Sequence, residues 1–388
     1  MAKGNLGAKF LLPGSVAILA AASSALANHD DHRPILKRLD EITTIASTVP
    51  ANGDVNPYGV ARVRRSVGNL RAGHILVSNF NNSDNKQGKG TTIVDVAPDG
   101  QVAVFAQIDA GSLPGPCPGG VGLTTALVVL RTGWVIVGSL PTADGTPPTA
   151  QAGCLIVLNS LGKPVETFSG APINGPWDMT ALDNGHDVKL FVTNVLNGTV
   201  AGGGQVVNQG TVVRIDLDVS EMKKPSVDST TVIGSGFPET TDPAALVIGP
   251  TGVGLSPCDD DDKDDDHDAD RCERVLYVAD TIDDRIAAID HPVQRKTSDG
   301  IGRTFSWGGS LNAPLGLIVS REGHVLTVNG GDGFIVEISP RGAQIARRLL
   351  DNTGGPPPGA GTLFGLDFDA KGNIEFVDDG TNTLNLLH

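Results

Sequence analysis

Residues 73–82 read GHILVSNFNN: a glycine, an alternating apolar run through Ile75 and Val77, and a polar ending at Asn79. The pattern returns as GWVIVGS at 133, VKLFVTN at 188, RVLYVAD at 274, GHVLTVN at 323 and GNIEFVD at 372. Short runs of aliphatic and β-branched residues, opened by glycine and closed by Asn, Ser or Asp, are strand signals. Six copies in one chain make the repeat the first thing to explain.

Each copy has the same neighbours. An apolar segment precedes it: NPYGVARV at 56, GLTTALVVL at 122, GPWDMTAL at 175, GPTGVGLS at 249, APLGLIVS at 313 and TLFGLDFD at 362. A third strand follows: GTTIVDV, GCLIVLN, GTVVRID, DRIAAID, GFIVEIS and NTLNLLH. Several units continue through a tight turn into a fourth strand, best seen at Asp99-Gly100 and Arg341-Gly342. The aligned starts Pro57, Leu123, Pro176, Pro250, Pro314 and Leu363 lie 49 to 74 residues apart. Four short antiparallel strands repeated six times predict an all-β, six-bladed β-propeller, in which each sheet packs both faces against its neighbours. The last unit stops at its third strand, at His388. EITTIAST, residues 41–48, precedes the first unit and has the β-branched content of an outer strand. It is expected to complete blade six and close the ring.

The repeat, most clearly GPTGV followed by RVLYVADTIDDRIAAID, resembles that of NHL-type six-bladed propellers. The chain as a whole is similar to uncharacterised secreted bacterial NHL-repeat proteins that share NPYGVA, ILVSNFNN and TDPAALV. More distantly it resembles gluconolactonase-like propellers, which hold a divalent metal with Asn and Asp side chains. The resemblance implies the architecture and leaves the activity open.

Composition narrows the classes. The chain has 388 residues, a formal charge of −15, 39% hydrophobic residues and only 4% aromatics. Such acidity opposes non-specific binding to nucleic acid or an anionic membrane. Lys3 and Lys9, an apolar stretch from Phe10 and the small-x-small site Ala25-Leu26-Ala27 read as a secretory signal peptide over 1–27. Residues 28–40 are then a mobile acidic start, and 41–388 a single propeller. No later stretch suits a membrane span. The expected location is secreted or periplasmic, where four cysteines favour two disulfides. Cys258 and Cys272 bracket one loop, which leaves Cys117 with Cys154. Between them, CDDDDKDDDHDADRC at 258–272 reads as a solvated acidic insertion on the face away from the ring described next.

The second strands should all end on one face, so Asn79, Ser139, Asn194, Asp280, Asn329 and Asp378 form a ring of polar residues. Capping of each strand's own turn accounts for any one of them. Six together could hold a ligand or a hard cation such as Ca²⁺. Glycine recurs in the first strands at Gly59, Gly252, Gly316 and Gly365, where it allows a tight turn near the axis; blades two and three carry Thr125 and Asp178 there. The expected metal ligands are Asp178, Asn194, Asp280 and Asp378, with Asn79, Ser139 and Asn329 as ligand-binding residues. The leading expectation is a scaffold that binds a small molecule or protein on the ring face, with calcium in the channel. The alternative is a metal-dependent hydrolase or lyase, lactonase-like. No histidine falls in the ring and no GxSxG motif occurs.

Overall fold

A computed structural model of the chain describes residues 34–258 and 272–388. The expected signal peptide, residues 28–33 and the acidic run 259–271 lie outside the described residues. The remainder is an all-β, six-bladed propeller.

Blade one is β2 (Val55–Arg62), β3 (Ile75–Asn81), β4 (Thr92–Val96) and β5 (Val102–Gln107). Blade two is β6 (Leu123–Val129), β7 (Val135–Ser139), β8 (Cys154–Leu158) and β9 (Pro164–Ser169). Blade three has five strands: β10 (Pro176–Asp183), β11 (Asp187–Asn194), β12 (Val207–Asp218), β13 (Ser226–Asp242) and β14 (Leu246–Ile248). Blade four is β15 (Pro250–Leu255), β16 (Val275–Asp280), β17 (Arg285–Asp290) and β18 (Arg303–Trp307). Blade five is β19 (Pro314–Val319), β20 (Val325–Asn329), β21 (Phe334–Ile338) and β22 (Gln344–Leu349). Blade six joins β23 (Leu363–Phe368), β24 (Ile374–Asp378) and β25 (Thr383–Leu387) to β1 (Ile42–Ser47) from the other end of the chain.

The seal is antiparallel, with Ile42 opposite Leu387 and Ser47 opposite Thr383. It covers the edge that β25 would otherwise present, and an unpaired edge invites association. Second strands such as β3, β7 and β20 are buried along their whole length, which explains their continuous apolar runs. The outer strand β5 is exposed over its first three residues. The fourth-strand turns carry the expected glycines in the left-handed region, φ 84° at Gly100 and 83° at Gly342.

Residues 34–40 depart from the expectation of a mobile start. Ile35, Leu36 and Leu39 are buried in the core cluster shared by blades five and six. Glu337 holds the segment in place: its Oε1 accepts from the Ile35 amide at 2.8 Å and its Oε2 from the Leu36 amide at 2.9 Å. His324 Nδ1 lies 2.6 Å from Glu337 Oε1. A buried carboxylate on two backbone amides is a strong anchor. Both disulfides pair as expected, Cys117 with Cys154 and Cys258 with Cys272. Among the described residues no helix is long and apolar enough to cross a membrane.

Candidate functional site in the central channel

In every blade a proline or leucine at or near the start of the first strand pairs with the residue expected in the ring. Pro57 pairs with Asn79, Leu123 with Ser139 and Pro176 with Asn194. Pro250 pairs with Asp280, Pro314 with Asn329 and Leu363 with Asp378. A register shift follows on each first strand, as at Pro57/Gly59 and Pro314/Leu317. All six ring residues are buried.

Their side chains turn into the loops around them. Ser139 Oγ accepts from the Gly122 amide and donates to the Gly120 carbonyl. Asn194 Oδ1 accepts from the Asn174 amide at 3.0 Å, and Asn329 Oδ1 from the Asn312 amide at 3.2 Å. Both amides precede the first strand by two residues, so these asparagines clamp the chain as it enters the blade. Asn79 Nδ2 donates to the Thr48 carbonyl just beyond β1, tying blade one to the seal. Asp378 Oδ1 accepts from the Thr381 amide, and burial, then the nearby Asp351, push its carboxyl up.

Asp280 is held differently. Its Oδ2 takes two hydrogen bonds from Arg285, at 2.6 and 3.0 Å, with both side chains almost wholly buried. Burial raises its pKa to about 6, outweighing the guanidinium. Oδ1 of Asp280 and Oδ1 of Asn79 are buried without a hydrogen-bond partner. They belong to blades four and one, on opposite sides of the ring. Among the described residues no three His, Cys, Asp or Glu side chains form a group placed to hold a metal ion. Asp178, Asn194, Asp280 and Asp378 each make separate contacts. Asp280 grips a guanidinium, Asn194 and Asp378 cap backbone amides, and Asp178 lies further along its strand.

Between the ring residues the axis is filled. Tyr58, Trp177, Leu315 and Phe364 each follow a first-strand start and share one buried cluster. Tyr58 stacks on Phe364 at 3.9 Å and on Phe80 at 4.5 Å between centroids, and lies 6.5 Å from Trp177. Blades one and three are not adjacent, so the Tyr58–Trp177 contact crosses the channel. Leu246 and Val247, from the β13–β14 hairpin, belong to the same cluster. At the hairpin tip, the carbonyls of Pro243 and Ala244 accept from Gln87 of blade one. The extra strand pair of blade three thus reaches over the ring face. The sequence signal was present as TDPAALV, but its role as a fifth strand was not legible.

Past this plug the channel opens toward the face opposite the ring. A cavity of about 450 Å³ is lined by all six first strands, including Val60, Thr125, Asp178, Val253, Gly316 and Gly365. It adjoins a second cavity of about 760 Å³ at the mouth, with Arg62, Arg64, Thr180 and Asp367 common to both.

The recurrent first-strand glycines explain the bore. None of the four has a positive φ, so tight-turn geometry is not their reason. A Cβ on Gly252 would sit 2.1 Å from the Leu315 carbonyl oxygen, on Gly316 1.9 Å from that of Phe364, and on Gly365 2.1 Å from that of Tyr58. Each contact is to the next blade, so glycine lets neighbouring first strands touch backbone to backbone. Blades two and three replace that contact with a side-chain bridge. Thr125 Oγ1 donates to the Trp177 carbonyl, and Asp178 Oδ2 accepts from the Val253 amide at 3.1 Å. Burial pushes the Asp178 pKa up to about 7.

No protein-family model matches the chain. No curated protein sequence matches it. Among solved structures it is similar to a gluconolactonase from Xanthomonas campestris, over 89% of this chain and 88% of that one, at 14% identity and TM-score 0.52. It is also similar to regucalcin, a calcium-binding protein from Agrobacterium tumefaciens, over 88% and 92% of the two chains, at 12% identity and TM-score 0.54. At such identities the likeness establishes the fold, a six-bladed propeller, and no chemistry.

Proposed function

We propose that the chain is an exported, NHL-type propeller that binds a small molecule or protein partner, and that it does so at the open end of its axial channel rather than on the ring. The observation that carries this is the polarity of the channel. Its ring end is filled by Tyr58, Trp177, Leu315 and Phe364, while the other end leads into connected cavities of about 450 and 760 Å³. Concave sites of this size are where small ligands lodge. The ring's asparagines and aspartates act as clamps, which is what their hydrogen bonds support.

A hydrolase or lyase is the second reading, and one observation favours it. Asp178 lines the inner cavity and is held near neutrality by burial, which suits a group that exchanges a proton with a bound substrate. The test is Thr180→Trp, which places a bulky ring where both cavities meet. A metabolite panel is screened by thermal shift against wild type and variant. Ligands that stabilise wild type are expected to lose their effect on the variant. Equal stabilisation of both, with the variant's fold intact by circular dichroism, rules out the channel as the site.

A further inference from the structure

We propose that the channel mouth takes an anionic ligand, a small molecule bearing carboxylate or phosphate groups; this rests on the reading that the open end is the binding site. The chain is acidic, with a formal charge of −15, yet its repeat places cations around this end. In four of the six blades the turn joining first to second strand is basic, reading LRAG at 70–73, LRTG at 130–133, SREG at 320–323 and DAKG at 369–372, whereas the link of blade three reads DNGHD at 183–187 and that of blade four contains the acidic run 259–271. Each closing glycine is left-handed, with φ of 90°, 89°, 78° and 86°. The turns are therefore alike, and each sets a basic residue one or two places before its glycine. Rotation about the propeller axis carries these turns to one face.

Three of the four basic residues reach the channel. Arg321 and Lys371 line the mouth beside Arg38 and Arg64, and Arg131 lines the inner cavity. The fourth, Arg71, is occupied by the Gly68 and Leu70 carbonyls. Among the described residues none of Arg38, Arg64, Arg131, Arg321 and Lys371 forms an ion pair. Most of the neighbouring acids are engaged. Asp367 accepts from the Arg62 and Phe368 amides, and Asp183 from the Arg131 and Gly185 amides. Asp369 accepts from the Lys371 and Asn373 amides and from Asn373 Nδ2. Among the described residues Glu322, beside Arg38, is the remaining carboxylate lining the mouth. Arg64 acts on Asp367 and Arg38 on Glu322 across space, which leaves Arg131, Arg321 and Lys371 as the cations with most to offer a ligand, and a guanidinium matches the two oxygens of a carboxylate or phosphate.

Citrate and inorganic phosphate are the probes, titrated at low and high salt into wild type, Arg321→Glu/Lys371→Glu, Thr180→Trp and Lys86→Glu. Lys86 is exposed on the ring-side loop after β3, so its reversal changes net charge away from the mouth. At least one probe should bind wild type saturably, weaken with salt, weaken tenfold or more in the double variant and be unchanged in Lys86→Glu. Which probe binds tells carboxylate from phosphate. Binding of neither probe, or equal losses in Lys86→Glu and the double variant, overturns the proposal. A neutral ligand that Thr180→Trp excludes and the double variant keeps also overturns the anion, while leaving the channel as the site.

Discussion

Asp178 Oδ2 receives the Val253 amide of the next blade at 3.1 Å, from the strand position where four other blades carry glycine. The carboxylate is thus a structural bridge at the wall of the channel, and its buried setting holds its pKa at about 7.

Asp178→Asn should keep the bridge, because an amide oxygen can still accept from Val253, and should remove the ionisation. Asp178→Ala leaves a buried amide unpaired, a loss of about 1–3 kcal/mol. Denaturant unfolding at pH 8 should rank the two variants in that order, with Asp178→Asn no less stable than wild type. If the alanine variant matches wild type, the bridge has no weight.

The pH dependence follows from the same burial. Asp178 at about 7, Asp280 at about 6, Glu239 at about 8, Glu375 at about 7 and Asp379 at about 7 all stand above their ordinary values, with burial the largest cause in each. A carboxyl raised in the folded state binds its proton more tightly there than in the unfolded chain. Its contribution is complete below the unfolded value near 4 and is lost as pH rises through the folded one. Calorimetry at fixed ionic strength should show Tm falling from about pH 5 to about pH 8. Asp178→Asn should flatten part of that slope near pH 7. A Tm that rises across this window contradicts the burial of these groups.

Gly316→Ala should be costly although its backbone needs no left-handed φ. The added methyl would lie 1.9 Å from the Phe364 carbonyl oxygen, and backbone cannot yield as a flexible side chain does. Overpacking of this kind costs about 1–3 kcal/mol. Gly111→Ala, whose methyl would meet nothing closer than 3.5 Å, is the control and should be near neutral. Equal unfolding midpoints for the two would remove the close approach of first strands as the reason for glycine.

Much of this was legible because local backbone chemistry sets it. A proline or leucine at or near the start of each first strand and a polar residue at or near the end of each second strand are read off one dimension, and they proved to be cross-strand partners in all six blades. Ring closure by residues 41–48 was legible from a missing strand at one end and a spare one at the other. What failed were side-chain directions and contacts between blades. Asn194 and Asn329 look the same in sequence whether they face a channel or cap their own loop. The plug could not be read because Tyr58, Trp177 and Phe364 come from separate repeats. Glu337 meets Ile35 and Leu36 across about 300 residues of chain, and nothing near either marks the other.

That long-range anchor has its own consequence. Glu337→Ala removes two charge-assisted hydrogen bonds from the Ile35 and Leu36 amides and the contact with His324. Lys37 and Arg38 are exposed within the segment it holds. Limited trypsin digestion should cleave after them faster in the variant, since local release is what a protease reads. The β1 seal should persist through its own pairing with β25, so the propeller core should stay resistant. Unchanged cleavage at Lys37 and Arg38 would show that packing of Ile35, Leu36 and Leu39 alone holds the segment.

Arg285→Ala decides whether Asp280 serves an ion or a guanidinium. Removing the cation leaves a buried carboxylate with neither charge partner nor donors, which costs about 3–5 kcal/mol. If the ring held calcium, millimolar calcium would bind the vacated carboxylate and restore stability by mass action. With Asp280 facing its own Arg285, and Asn79 in the opposite blade across an aromatic plug, no group of three His, Cys, Asp or Glu side chains among the described residues is placed to complete a site. Melting of wild type and variant in calcium and in chelator should therefore give a large drop on substitution and little response to the ion in either. Restoration by calcium would return the metal to the ring.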